Sequence, residues 1–138
     1  MNETEFRNWA TKHSVSNKIV KSLMESAALA IEDTLVGRAM LDYAGIAEIT
    51  DEVIIDSCPF DAGFVVFGDC PNGDPIAIDV QNNVGTIHYL SHEETDGCEF
   101  PSFQVAESMG NFLKQYANEK MPIDYHEALA WDFSQTAG

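Results

Sequence analysis

The sequence predicts an α+β domain in which helices pack on one face of a mainly antiparallel sheet. The first observation is that residues 63–94 hold three short apolar runs, 63–68, 75–80 and 86–90, separated by tight polar turns. That order is typical of a three-stranded meander. The second observation is that segments with helical spacing of apolar residues lie on both sides of the meander. A chain of 138 residues has the size of one domain, so we expect residues 1–138 to fold as a single unit.

The amino-terminal third predicts two helices. The first spans residues 3–12, and its buried face is expected to hold Phe6, Trp9 and Ala10. Ser14 or Ser16 can cap the second helix, and Gly37 is placed to end it or the turn that follows. The apolar stripe of the second helix recurs at helical spacing and comprises Ile19, Val20, Leu23, Met24, Ala27 and Ile31.

The segment between the second helix and the meander is harder to assign. Residues 38–43 favour a strand, although the run is short for a judgement on periodicity. Residues 47–55 mix β-branched and acidic side chains and suit either a helix or a strand. Residues 58–62 contain Pro59 and are predicted to form a loop. Within the meander, Ile76, Ile78 and Val80 should share one face of the second strand, and for the mid-strand Asp79 we favour a structural role over a contact with a partner.

The carboxyl-terminal third predicts an acidic loop over residues 93–101, a strand over 103–106 and two helices. Ser108 is a good N-cap for a helix over 109–120, which Pro122 should stop. Its apolar face comprises Met109, Phe112, Leu113, Tyr116 and Ala117. Asp124 is expected to start the last helix, with Glu127 in the capping-box position three residues later.

The net charge of −16 restricts the kinds of partner that this protein can bind. Between Lys21 and Lys114 the only Lys or Arg is Arg38, so the middle of the chain should carry a nearly uninterrupted negative potential. Such a surface repels nucleic acid and anionic membranes and attracts a basic protein. Acidic surfaces also keep proteins soluble without any partner, and that interpretation stays open.

Several sequence features indicate a cytoplasmic protein. No apolar run approaches the length that crosses a bilayer, and the amino terminus lacks the apolar core of a secretory signal. The three cysteines, Cys58, Cys70 and Cys98, form no CxxC pair. An odd number of unpaired thiols is typical of a reducing compartment.

Catalytic and metal-binding patterns are weak. The sequence contains no GxSxG elbow, no phosphate-binding GxxxxGK[ST] loop and no GxGxxG turn. Cys70 and His88 could lie in one meander, but nothing marks that thiol as activated. His88 and His92 are four residues apart and, with Glu94, could bind zinc if the third strand extended that far. We favour a half-buried strand position for His88 and a turn position for His92 bonded to a carbonyl, and therefore expect no enzyme, no metal and no cofactor.

Four segments resemble the SUKH superfamily when they are taken in order: GxxxFG, NGDPIxID, GxIHYLSHEE and VAESMGNFLKQYA. The matching residues are Gly63, Phe67, Gly68, Asn72, Gly73, Asp74, Asp79, Gly85, His92, Ser108, Phe112 and Leu113. The match covers roughly residues 63–117, and the fold-signature turns that it implies fall at Gly68, Asn72, Gly73, Asp79 and Gly85. This superfamily includes a yeast regulator of cell-wall synthesis and bacterial immunity proteins paired with polymorphic toxins.

The resemblance implies a SUKH-like fold and a non-enzymatic protein-binding domain. It implies most directly an immunity protein that occludes the basic cleft of a cognate toxin, for example a nuclease. We expect the partner to contact acids at the turns and exit loop of the meander, namely Asp69, Asp74, Glu93, Glu94, Asp96 and Glu99. Two other functions stay open, an intracellular scaffold or regulatory module of the same fold and a small metal-dependent enzyme that uses His88 and His92.

Overall fold

A computed structural model of the chain describes residues 1–51, 59–92 and 101–135. Within these ranges the chain forms six α-helices, one 3-10 helix and a four-stranded antiparallel sheet whose strands lie side by side in chain order. The elements are α1 Glu3–Lys12, α2 Asn17–Leu29, α3 Leu35–Ala39, α4 Tyr43–Asp51, β1 Phe64–Asp69, β2 Pro75–Asp79, β3 Ile87–Leu90, β4 Ser102–Ala106, α5 Met109–Ala117, α6 Tyr125–Ala130 and the 3-10 helix Phe133–Gln135. The predicted α+β class with an antiparallel sheet is confirmed.

The main core lies between the helices and one face of the sheet. Strand β2 shows the alternation that the sequence predicts, because Ile76 and Ile78 face this core while Ala77 faces the opposite side. Phe112 of α5 is fully buried and makes edge-to-face contacts with Phe67 of β1 and Tyr89 of β3. A smaller apolar cluster covers the opposite face, and its members are Phe64, Val66, Ala77 and Leu90, with Leu41, Ile49 and Ala62 packed against them.

Helix α4 and the residues before it cover the outer edge of β1. The Thr50 hydroxyl is fully buried and accepts a hydrogen bond of 2.9 Å from the Val66 backbone N–H. The Leu41 N–H donates to the Phe67 carbonyl at 2.9 Å. These bonds satisfy backbone groups that an exposed edge strand would offer to another chain.

The strand predicted for residues 38–43 is wrong. Thr34 accepts a hydrogen bond from the Gly37 N–H at 3.0 Å and caps α3, and α4 begins at Tyr43, so only Met40 makes an isolated β-bridge, with Gly68. A local N-cap therefore overrides the apolar character of this short run. The ambiguous segment 47–55 is helical as far as Asp51, and its remaining residues lie outside the described ranges.

Two glycines allow close backbone approaches rather than the turns that the sequence indicates for them. Gly37 does not end a helix but lies inside α3, where an added Cβ would be 2.2 Å from the Glu32 carbonyl oxygen. Gly68 lies within β1 at a register shift, and a Cβ there would be 2.7 Å from the Ala39 carbonyl oxygen. The predicted stripe of α2 also ends early, because the helix stops at Leu29 and leaves Ile31 89% exposed.

The predictions for the chain ends agree more closely with the structure. Helix α1 has the predicted bounds, and Ser16 caps α2. Ser108 caps α5, which ends at Ala117 rather than Lys120 because Glu119 takes a positive φ of 58°. Asp124 caps α6 by accepting a hydrogen bond from the Glu127 N–H at 2.8 Å.

Candidate partner-binding surface

The turn between β1 and β2 is built by Asn72 and Gly73. The Asn72 side-chain oxygen accepts a hydrogen bond from the Asp74 N–H at 3.0 Å, and Gly73 takes a positive φ of 95°. The Cys70 N–H donates to the Asp74 carbonyl at 2.8 Å and closes the hairpin. The residues of the NGD motif thus adopt the turn that their types favour.

Asp74 is an internal anchor, with an exposed fraction of 1%. One carboxylate oxygen accepts hydrogen bonds from the His92 N–H at 3.2 Å and from His92 Nδ1 at 2.6 Å. The other oxygen accepts from the Tyr125 N–H at 3.0 Å and from Asn72 Nδ2 at 2.9 Å. Asp74 therefore ties the β1–β2 turn to the exit of β3 and to the first residue of α6, and it offers no carboxylate to a partner.

Hydrogen bonding determines the charge state of Asp74. Burial by itself raises the pKa of this carboxyl, but the bonds from Asn72, His92 and Tyr125 outweigh burial and hold the pKa below its ordinary value. The group is consequently a buried anion at neutral pH whose charge is shared by several donors.

Asp79 organises the loop between β2 and β3 in a similar way. Its side chain is buried and accepts hydrogen bonds from the backbone N–H groups of Gln81, Asn82 and Asn83 at 2.9, 2.9 and 3.2 Å. Burial raises the pKa of Asp79, but these bonds and the nearby His88 lower it further than burial raises it. Gly85 closes the same loop with a positive φ of 97°.

The two histidines of the possible zinc site have separate partners. His88 Nε2 bonds to the Thr86 hydroxyl at 2.8 Å, and burial holds the pKa of His88 below its usual value despite the opposing effect of Asp79. His92 bonds to the Asp74 carboxylate, whereas a carbonyl acceptor was expected. Over residues 1–51, 59–92 and 101–135, no three His, Cys, Asp or Glu side chains are grouped so as to hold a metal ion.

Another histidine and aspartate pair was not foreseen from the sequence, because 38 residues separate its members. His13 Nε2 bonds to Asp51 at 2.9 Å, and His13 Nδ1 bonds to the Trp9 carbonyl at 2.9 Å. His13 borders a cleft of about 520 Å³ that Ser14 and Ser16 also line. Both ring nitrogens are engaged, so the imidazole has no free nitrogen to take a proton from either hydroxyl. The geometry supports a structural hydrogen bond that ties the end of α1 to the end of α4.

The described acids differ in how much charge they present to solvent. Asp69 is exposed at the end of β1, and partial burial raises the pKa of its carboxyl. Burial raises the pKa of the nearby Cys70 thiol, and the charges of Asp74, Asp124 and Asp69 raise it further. Arg38, the only cation in the middle of the chain, donates to Asp33 at 3.1 and 2.8 Å. The predicted contact residues Glu93, Glu94, Asp96 and Glu99 lie outside the described ranges.

Two hollows share Leu35 of α3 and are lined by residues of α5 and of the segments around α6. One, of about 320 Å³, lies between Pro71, Tyr116, Ile123 and Trp131. The other, of about 390 Å³, lies between the end of α2 and α5. Leu35 lines both hollows and is 46% exposed, while Ile123 is 54% exposed. We call these two hollows together the Leu35 groove. Its residues come from distant segments, so local sequence patterns do not indicate it.

Comparisons with known proteins identify no relative of this chain. No protein-family model, no curated protein and no solved structure matches it. The SUKH resemblance therefore stays a prediction based on the turn and strand residues of the meander. In the parts of the chain that the structure describes, none of the helices has the length and apolar character needed to cross a membrane.

Proposed function

We propose that this protein is a non-enzymatic binding domain that captures a basic protein partner. The observation that carries the proposal is the ion pair between Arg38 and Asp33. Arg38 is the only Lys or Arg between Lys21 and Lys114, and this pair already uses its charge. The exposed acids of that span, among the residues that the structure describes, therefore have almost no basic side chain to offset them; Glu32, Asp42 and Asp69 are examples. A net charge of −16 on such a small domain accelerates encounter with a cation and suppresses encounter with an anion.

The SUKH resemblance supports a more specific form of the proposal. In that form the protein is a cytoplasmic immunity protein that covers the basic cleft of a toxin domain and keeps its substrate out. A buried free thiol at Cys70 is in keeping with a reducing compartment. The exposed Asp69 and the acids of segment 93–100 supply the charge in this proposal, whereas the buried Asp74 contributes by holding His92, the last described residue before that segment.

The experiment is to purify the protein with the toxin domain encoded by the adjacent gene and to measure association by stopped flow. Raising NaCl from 50 to 300 mM should slow association about tenfold or more, because screening removes electrostatic steering. Reversing Glu93 and Glu94 to Lys should slow it at low salt, whereas reversing Glu3 and Glu5, which lie in α1, should do so much less. An association rate that ignores both salt and the first reversal would refute the proposal.

A further inference from the structure

The Leu35 groove has the shape and chemistry of a site for a helix. Leu113, Tyr116 and Ala117 of α5 line it at i, i+3 and i+4 spacing, and Leu35 separates its two hollows. Hollows of about 320 and 390 Å³ each accept one large apolar side chain. A helix presents apolar anchors three or four residues apart, about 5–6 Å from each other, and two such anchors would lie on either side of Leu35, the residue that both hollows share.

The charges around the groove restrict the occupant further. Glu119 and Glu127 line the first hollow and Glu32 lines the second. Among the described residues that line the groove there is no Lys, Arg or His. Lys114 and Lys120 belong to this region of the chain, but neither lines a hollow. A helix with an apolar stripe flanked by Lys or Arg would satisfy the apolar floor and the acidic border together.

We propose that the Leu35 groove binds a basic amphipathic helix presented by the protein partner. This inference rests on the proposed function and adds where the partner docks and what chemistry docks there. Leu35 and Ile123 would contact the apolar stripe of the helix, and Glu32, Glu119 and Glu127 would pair with its flanking cations. Partly exposed apolar side chains lose their contact with water only when the occupant is bound, which supplies affinity that charge alone does not give.

The probe is a fluorescent 14-residue peptide of Leu and Lys, with Leu at i, i+3, i+4 and i+7 positions, and binding is read by fluorescence anisotropy with the full chain. A scrambled peptide of the same composition controls for charge alone, and it should bind at least about tenfold more weakly. The double variant Leu35→Asn with Ile123→Asn should weaken the amphipathic peptide by about tenfold or more. Val84→Asn is the matched control, because Val84 is 55% exposed in the other cleft, and it should leave binding within about twofold.

A second pair of variants tests the acidic border. The double variant Glu119→Gln with Glu127→Gln should weaken binding of the peptide several-fold. The double variant Glu48→Gln with Glu107→Gln changes the net charge equally and should weaken binding much less. Circular dichroism of each variant establishes that the fold is kept. Sedimentation of the unliganded protein tests whether a second copy occupies the groove instead.

Several outcomes would overturn the inference. They are absence of peptide binding, equal binding of the scrambled peptide, equal loss in the Val84 control, and a dimer that Leu35→Asn with Ile123→Asn dissociates. If the protein captures the toxin domain but does not bind the peptide, the groove is rejected as the docking site and the proposed function still holds. Peptide binding that depends on the groove, without capture of the toxin domain, removes the proposed function and leaves the groove as a site for a basic helix.

Discussion

The buried anion Asp74 gives the sharpest test of how this fold is held together. In Asp74→Asn an NH2 group, which cannot accept a hydrogen bond, replaces one carboxylate oxygen. Whichever oxygen is replaced, a backbone N–H loses its acceptor, either that of His92 or that of Tyr125. The remaining bonds also lose the contribution of the negative charge. A buried N–H without an acceptor costs about 1–3 kcal/mol, and with the weakened bonds we expect a loss of about 3 kcal/mol in the free energy of unfolding.

Urea unfolding followed by tryptophan fluorescence measures this loss. With an m-value of about 1.5 kcal/mol/M for a domain of this size, the midpoint should fall by about 2 M. Asp69→Asn is the matched control, because Asp69 is exposed and is not part of this network. Its midpoint should stay unchanged or rise slightly, since burial raises the pKa of Asp69 and so disfavours its charged form.

The pH dependence of the urea midpoints of wild type and Asp74→Asn separates the contribution of the Asp74 charge from that of side-chain packing. The folded-state pKa of Asp74 lies below the ordinary value of 3.8, so its charge stabilises the protein above pH 3.8 and that stability is lost as pH falls through the lower folded-state pKa. The gap between wild type and Asp74→Asn should therefore be constant above about pH 5 and narrow in more acidic solution. A midpoint within about 0.5 M of wild type at pH 7, or a gap that persists to pH 2, would refute the reasoning.

Three further predictions concern other parts of the core. Thr50→Val keeps the side-chain shape but leaves the buried Val66 N–H without its acceptor. The free energy of unfolding should fall by about 1–3 kcal/mol, and the Val66 amide should exchange with deuterium faster than in wild type. Unchanged exchange would contradict this role for Thr50. Gly68→Ala should lower the free energy of unfolding by about 2–3 kcal/mol, because the new Cβ would meet a backbone oxygen at 2.7 Å. Gly85→Ala, in open space with positive φ, should lower it by only about 1 kcal/mol. A larger loss for Gly85→Ala than for Gly68→Ala in urea unfolding would be inconsistent with this packing. Burial and nearby carboxylates raise the pKa of the Cys70 thiol, so a thiol reagent should label Cys70 only in molecules that have unfolded globally. Rapid labelling of Cys70 in the folded protein, detected by mass spectrometry, would show that the thiol is accessible.

The sequence predicted the meander because each of its turns is determined locally. Gly73 and Gly85 take positive φ at the positions that their neighbours indicate, and the apolar alternation of β2 sets its register. The strand prediction for residues 38–43 fails because the decisive signal, the Thr34 N-cap, lies before that run in the sequence. Local patterns therefore describe strands and caps well, and they fail where a cap and a strand preference compete.

The candidate site was predicted less well than the fold, because its features depend on contacts between distant segments. Asp74 was singled out from its turn position, but its bond to the Tyr125 N–H spans 51 residues and could not be read from local spacing. The Leu35 groove likewise combines side chains from α3, α5 and the segments around α6. Charge was the exception, because the scarcity of cations between Lys21 and Lys114 is a property of the chain itself.

Hydrogen bonds hold the residues on both sides of segment 93–100 in place. The Ser91 N–H donates to the Pro101 carbonyl at 2.9 Å, and His92 is bonded to Asp74. Both ends of the segment are therefore attached to β3 and β4 by bonds that do not involve its own residues. Substitutions confined to residues 93–100 therefore leave the bond between Ser91 and Pro101 and the bond between His92 and Asp74 with both of their partners.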